Sequence, residues 1–153
     1  MELVFDIETD GLLWESTVKN EETGELETMP PASIIWCIVA IDEADNVYSF
    51  EPNQIDEGIE FLKSADTLVG HNIIGFDIPA INKLMQVNLY DHAEILDTLT
   101  LSRLLHPTRE GGHSLEKWGW KLKCPKSKAP RFTEFSKEML DYCIQDVRLN
   151  KKV

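Results

Sequence analysis

No stretch of this 153-residue chain approaches the eighteen or more uninterrupted apolar residues that a membrane span requires. Its acidic opening lacks the basic region and apolar run of a secretory signal, so a cytoplasmic setting is expected, without a membrane partner. Cysteine is scarce: Cys37, Cys124 and Cys143 are odd in number and widely scattered, which matches neither a disulfide framework nor a zinc motif. They are expected to be reduced and structural. His71, His92, His106 and His113 lack paired ligand spacing, which removes a histidine-based zinc centre. No internal repeat or low-complexity tract interrupts the chain. Basic residues are also few, 15 against 27 acids, and the net charge of -12 argues against a phosphate-rich partner. That deficit is uneven. Lys117, Lys121, Lys123, Lys126, Lys128 and Arg131 fall in one stretch that contains no acid. Such a stretch can meet a phosphate backbone while cations screen the acids elsewhere; an ordinary solvated loop has the same charge pattern.

What is present is enough for one globular domain over residues 1–153, with 42% apolar and 27% charged residues. Leu3, Val4, Phe5 and Ile7 form a strand. Trp14 to Ser33, polar and carrying Gly24 and Pro30-Pro31, reads as a long loop. Ile34 to Ile41 is a continuous β-branched run, hence a buried strand. Asp42 to Asn46 turns the chain into Val47 to Phe50, completing a three-strand antiparallel meander. Ile55, Ile59 and Leu62 mark a helix, Thr67 to His71 a short strand, and Ile78, Ile81, Leu84 and Met85 a second helix. Glu94 to Leu96 is the last strand, and Asp97-Thr98 opens a helix through Leu105. His113 to Leu122 is helical with Leu115 and Trp118 facing inward, and a final helix starts near Thr133 or Ser136. The order implies an α/β fold: a mixed five-stranded sheet, three strands antiparallel and two parallel, flanked by helices. Asn150 to Val153 carries no stop signal, so the last helix is expected to continue into a longer chain.

The chemistry concentrates in a few acids. Alternation along a strand puts Asp6 and Glu8 on one face, two residues apart. Two carboxylates beside an apolar strand repel and resist desolvation unless a cation joins them or one stays protonated. A wet edge strand would also tolerate them. Asp77 caps the next helix after the loop His71 to Phe76, where α/β sheets place their sites; simple capping explains it on its own. Tyr142 and Asp146, four residues apart, share a face of the last helix among apolar neighbours, at the margin of buried ground.

In order along the chain, Asp6-Ile7-Glu8-Thr9, then His71-Asn72 with Phe76-Asp77, then Tyr142-Cys143-Ile144-Gln145-Asp146 resemble the three motifs of the DEDD-superfamily 3′–5′ exonucleases. The Tyr-x-x-x-Asp form is similar to the tyrosine subgroup. The stretches Leu96 to His106 and Gly112 to Gly119 resemble the proofreading domains of family A DNA polymerases of short-tailed bacteriophages. The resemblance implies a ribonuclease H-like fold and hydrolysis of DNA from a single-stranded 3′ end to nucleoside monophosphates. It also implies two divalent cations, magnesium or manganese, on Asp6, Glu8, Asp77 and Asp146, a metal class that the all-oxygen donor set favours independently. By the same resemblance Tyr142 orients the attacking water, while Thr9, Leu12, Asn72 and Phe76 contact the substrate. Leu12 on sequence alone is as readily a core residue after a turn, and Asp97 is read as a helix cap rather than a fifth ligand. A polymerase domain in the same chain and a host-cytoplasmic location follow from the likeness. Against the family pattern, Asn72 precedes Asp77 by five residues where many bacterial relatives have four. An exoribonuclease, or a catalytically silent binding or scaffold module, are the competing readings.

Overall fold

The computed structural model describes residues 1–13, 16–19, 22–29, 31–109, 111–122, 126 and 135–153. Its strands are β1 (Glu2–Thr9), β2 (Ser16–Lys19), β3 (Leu26–Met29), β4 (Ile35–Ile41), β5 (Val47–Phe50), β6 (Thr67–Gly70) and β7 (Glu94–Asp97). Its helices are α1 (Ile55–Lys63), α2 (Ile78–Met85), α3 (Thr98–Leu105), α4 (Leu115–Lys121) and α5 (Lys137–Lys152). Five strands form one mixed sheet in the order β5-β4-β1-β6-β7. β1 lies at its centre, antiparallel to β4 and parallel to β6; β5 pairs antiparallel with β4, and β7 parallel with β6. This is the expected α/β architecture, and β1 holds the middle because its apolar residues serve both faces.

Leu3, Phe5 and Ile7 of β1 turn to one face, where Ile38 and Ala40 of β4, Ile59 and Leu62 of α1, and Ile78 and Ile81 of α2 cover them. A side chain such as Phe5, 1% exposed, stabilises by about 1.5–3 kcal/mol when taken from water. Val4 turns to the other face, beneath α5, with Cys37, Val39 and Ile41 of β4 and Met139, Cys143 and Val147 of α5. Asp6 and Glu8 share the parity of Val4, so they also project beneath α5, opposite Val39 and Cys37 in the β1–β4 ladder. An irregularity between Glu8 and Thr9 ends the regular alternation there.

Two expectations need correction. The segment from Trp14 to Ser33 is not simply a loop: Ser16–Lys19 and Leu26–Met29 pair antiparallel as a small second sheet. Its polar composition hid the pairing, because a hairpin outside the core needs no apolar face. Asp10 anchors the far end of this excursion, its carboxylate accepting hydrogen bonds from the Ser33 and Ile34 amides at 2.8 and 2.9 Å. Ile34 stands outside β4 and is exposed, although it continues the apolar run. The second correction concerns Asp77, which does not cap α2. A five-residue turn, Ile73–Asp77, runs straight into that helix, Asp77 itself is helical in backbone, and its side chain accepts no cap bond. Among the described residues no helix is long and apolar enough to cross a membrane.

Candidate active site

The site begins where β6 stops. β6 pairs with Glu2 to Val4 only, which leaves the next amides of β1 without a strand on that side. The Asp77 carboxylate takes that place, accepting the Ile7 N–H at 3.2 Å, and its side chain also hydrogen-bonds Asp6. Gly70 makes the approach possible. A Cβ there would run into the Ile73 side chain and lie 3.0 Å from the Phe5 carbonyl oxygen. Asn72, in the left-handed region at φ 60°, reverses the chain just beyond Gly70, a conformation asparagine tolerates better than most residues. Asp97 locks the turn by accepting from the Asn72 and Ile74 amides at 2.9 Å, and it caps α3 through the Leu99 amide at 2.9 Å. Asp97 is thus a cap and clamp, as its position before α3 implied.

The last helix closes the site. Ser136 caps α5 by accepting the Met139 N–H at 3.1 Å, and the apolar stripe Met139, Cys143, Val147 seats the helix on the sheet. That seating brings Asp146 down toward Asp6, and Cys143 against it, with Sγ 3.8 Å from Asp6 Oδ2. Ligating atoms of Asp6, Glu8 and Cys143 lie within 4.8 Å of one another. Farther along, Asn150 Nδ2 donates to Thr98 Oγ1 at 2.8 Å, and His71 Nδ1 meets the same hydroxyl at 2.8 Å, tying α5 to the ends of β6 and β7.

Electrostatics follow from this crowding. Burial pushes the Asp6 carboxyl up, and burial with the neighbouring Asp6 charge pushes Asp77 well above the carboxylate range. Glu8 rises to about 10, through burial first and then the charge of Asp6. Asp146, only 4% exposed, rises to about 7 for the same two reasons, partly offset by Lys126. In the metal-free chain the crowded acids therefore favour keeping protons, Glu8 and Asp77 most strongly. Among the described residues Lys126 is the cation paired with these acids: its Nζ lies 3.3 Å from Asp146 Oδ2 and 5.2 Å from the centre of the Tyr142 ring. Burial works to lower its pKa, but Asp146 and Tyr142 outweigh burial and raise it. The Tyr142 hydroxyl is raised by burial and by Asp146, so it stays protonated at neutral pH. Asp146 Oδ1 is buried with no hydrogen-bond partner among the described residues. An orphaned carboxylate oxygen among crowded acids fits a site built for cations, and the donor atoms fit hard divalent ions apart from the Cys143 sulfur.

A cleft of about 400 Å³ opens over these acids, lined among others by Asp6, His71, Asn72, Arg103, Lys126 and Asp146. Acids on its floor and basic side chains on its rim suit a ligand that is an anion held through cations. Asn72 is exposed at this cleft, and Phe76 is half-buried against the core. Leu12 is 58% exposed after β1, so it is not a core residue; the adjacent Leu13 packs inward instead. Thr9 is buried and spends its hydroxyl on the Gly11 carbonyl at 2.6 Å, holding the turn that carries Leu12. Lys126 is the residue that sequence reasoning did not single out. Its stretch was recognisable as basic, but only the packing of α5 on β1 brings Lys126, one of five lysines in that stretch, against Asp146. The other lysines and the arginine between Leu122 and Phe135 lie outside the described residues.

No family model matches the chain. Its sequence is 29% identical over 160 residues to the DNA-directed DNA polymerase of Enterobacteria phage T3, covering 75% of this chain and 23% of that protein. It is 27% identical over 194 residues to the DNA-directed DNA polymerase of Escherichia phage T7, covering 97% and 25%. The chain thus spans about a quarter of the length of these relatives. In three dimensions it superposes on exonuclease I of E. coli bound to single-stranded DNA with a TM-score of 0.57 at 15% identity, covering 97% of this chain and 38% of that one. The chain has the fold of exonuclease I. The same fold recurs in exonuclease X, solved with 5′-overhanging duplex DNA, at a TM-score of 0.54 and 17% identity, covering 97% of this chain and 89% of that one. It recurs again in the family B DNA polymerase of Pyrobaculum calidifontis, at a TM-score of 0.66 and 16% identity, covering 98% and 23%. The ribonuclease H-like sheet is therefore shared by free-standing exonucleases and by a polymerase.

Proposed function

We propose that this domain hydrolyses DNA from the 3′ end, releasing nucleoside 5′-monophosphates, and that it proofreads for a phage-type DNA polymerase continuing in the same chain. The host cytoplasm is its setting. The observation that carries this reading is the Asp77 carboxylate, turned away from its own helix and onto β1 against Asp6. Capping would have made Asp77 a local device; its contact with Asp6 makes it one of a group of crowded acids whose charge needs a cation or a retained proton beside it.

Asp6, Glu8, Asp77 and Asp146 would hold two divalent ions, magnesium or manganese. Such ions stabilise the attacking and leaving oxygens of an in-line phosphodiester displacement. The protein's own side chains do the rest. Tyr142, protonated at neutral pH, orients the attacking water through its hydroxyl rather than by removing a proton. Lys126 and Arg103 meet the backbone phosphates, and Lys126 exchanges its contact with Asp146 for the substrate. Asn72, Phe76, Leu12 and the Thr9 turn surround the last nucleotide, where stacking is tolerant of base identity.

The test is a single-stranded DNA oligonucleotide labelled at its 5′ end, incubated with the chain and magnesium or manganese. A ladder shortening from the 3′ end, with mononucleotide products, is expected. A stronger degradation of the matched RNA would replace the substrate assignment by the exoribonuclease reading. No degradation of either, by a folded chain that also takes up no divalent ion, would leave a binding module.

A further inference from the structure

Cys143 has no part in the hydrolysis proposed above, yet its sulfur faces the acids that perform it. Sγ lies 3.8 Å from Asp6 Oδ2, and ligating atoms of Asp6, Glu8 and Cys143 lie within 4.8 Å of one another. Three ligands of one tetrahedral zinc, with a sulfur bond near 2.3 Å and oxygen bonds near 2.0 Å, stand about 3.5 Å apart; the sulfur–Asp6 distance is already within a few tenths of an ångström of that, and the 4.8 Å bound on the set leaves side-chain rotation of up to about an ångström to close the rest. One turn farther along α5 the buried Asp146 Oδ1 has no partner among the described residues, and Asp146 lines the same cleft as Asp6. A second sulfur stands behind the first, because Cys37 is opposite Glu8 in the ladder and hydrogen-bonds Cys143.

We propose that Cys143 makes this centre a mixed oxygen–sulfur site, in which a zinc-class ion binds Asp6, Glu8 and the Cys143 sulfur together. Magnesium and manganese leave that sulfur unused, since hard ions select oxygen, whereas zinc and cadmium gain a thiolate bond. The thiol proton passes to solvent as the bond forms. The inference rests on the cation-site reading, and its test separates the two.

Cadmium titrated into the metal-free chain is expected to develop the ultraviolet thiolate-to-cadmium charge-transfer band, saturating at one equivalent. The band is expected to vanish in Cys143→Ser and to persist in Cys124→Ser. A band that survives Cys143→Ser, or that never forms in the unaltered chain, overturns the proposal. Should Cys143→Ser fail to fold by circular dichroism, Cys143→Ala replaces it. The cadmium NMR resonance of the unaltered chain decides independently, since a sulfur ligand moves it far downfield of an all-oxygen site and an all-oxygen shift overturns the proposal. Manganese uptake measured by calorimetry on the same samples distinguishes the failures. Manganese bound without a cadmium–sulfur band refutes the sulfur ligand and leaves the nuclease reading standing; neither ion bound refutes both.

Discussion

The two faces of β1 are built from one eight-residue strand and behave as different materials. On one face Leu3, Phe5 and Ile7 are at most 3% exposed and pack among apolar residues of α1, α2 and β4. On the other, Val4 continues the core, but Asp6 and Glu8 follow it into ground that is almost as dry. The first face is stabilised by burial, and any polar atom there would weaken it. The second holds charge that burial opposes, as the raised carboxyl groups record, and its folding is sustained by the apolar stripe of α5 on either side of the acids. A strand can therefore support a site at the expense of one face because the other face carries the stability.

Substitutions on neighbouring residues break this contrast in opposite ways. Asp6→Ala should abolish hydrolysis, by about a thousandfold or more, since a metal clamp is worth several kcal/mol and each 1.4 kcal/mol is about tenfold. The thermal midpoint of the metal-free chain should stay level or rise, because a buried carboxyl is removed. Oligonucleotide degradation and a melting curve on one preparation check both halves. Phe5→Ala, one residue earlier and on the dry face, should reverse the pattern. It is expected to destabilise by about 3–5 kcal/mol in urea unfolding, with activity lost only in proportion to the unfolded fraction.

The acid face should also respond to pH while the apolar face does not. Asp146 and Glu8 bind protons more tightly folded than unfolded, so their contribution to stability is complete below the unfolded carboxylate range and declines as pH rises. Metal-free chain should therefore lose thermal stability between about pH 4 and about pH 7 through Asp146, and further toward about pH 10 through Glu8. Saturating magnesium or manganese should flatten that decline. Melting curves across pH, with and without metal, read the effect, and a metal-free midpoint independent of pH would contradict the crowding of the acids. The smallest expected effect is at the rim. Lys126→Met should slow hydrolysis by about tenfold, roughly 1.4 kcal/mol, and should raise the pH at which Asp146 ionises. Rates against pH for the two proteins measure both.

Local pattern carried much of this. Alternation in Leu3 to Glu8 put both acids on one face, and the sheet confirms that parity with Val4 beneath α5. The β-branched run before Ile41 and the helical stripes of Ile55 to Leu62 and Ile78 to Met85 found their elements. Asp97 found its helix start, and Ser136 proved the cap of the two candidates for the last helix, because capping depends on atoms only two or three residues away. The hairpin at Ser16–Lys19 and Leu26–Met29 was not legible, since its pairing leaves no apolar alternation.

The chain's composition and spacing determined, without coordinates, an α/β sheet with acids at three separated positions, because strand and helix periodicity act between near neighbours. Tertiary structure alone decided that Asp77 turns to β1 rather than to its own helix, that Lys126 of the basic stretch reaches Asp146, and that a core cysteine stands against Asp6. Each of those depends on contacts between residues far apart in the chain, where the short end of β6 frees an amide and the seating of α5 sets the depth of its side chains.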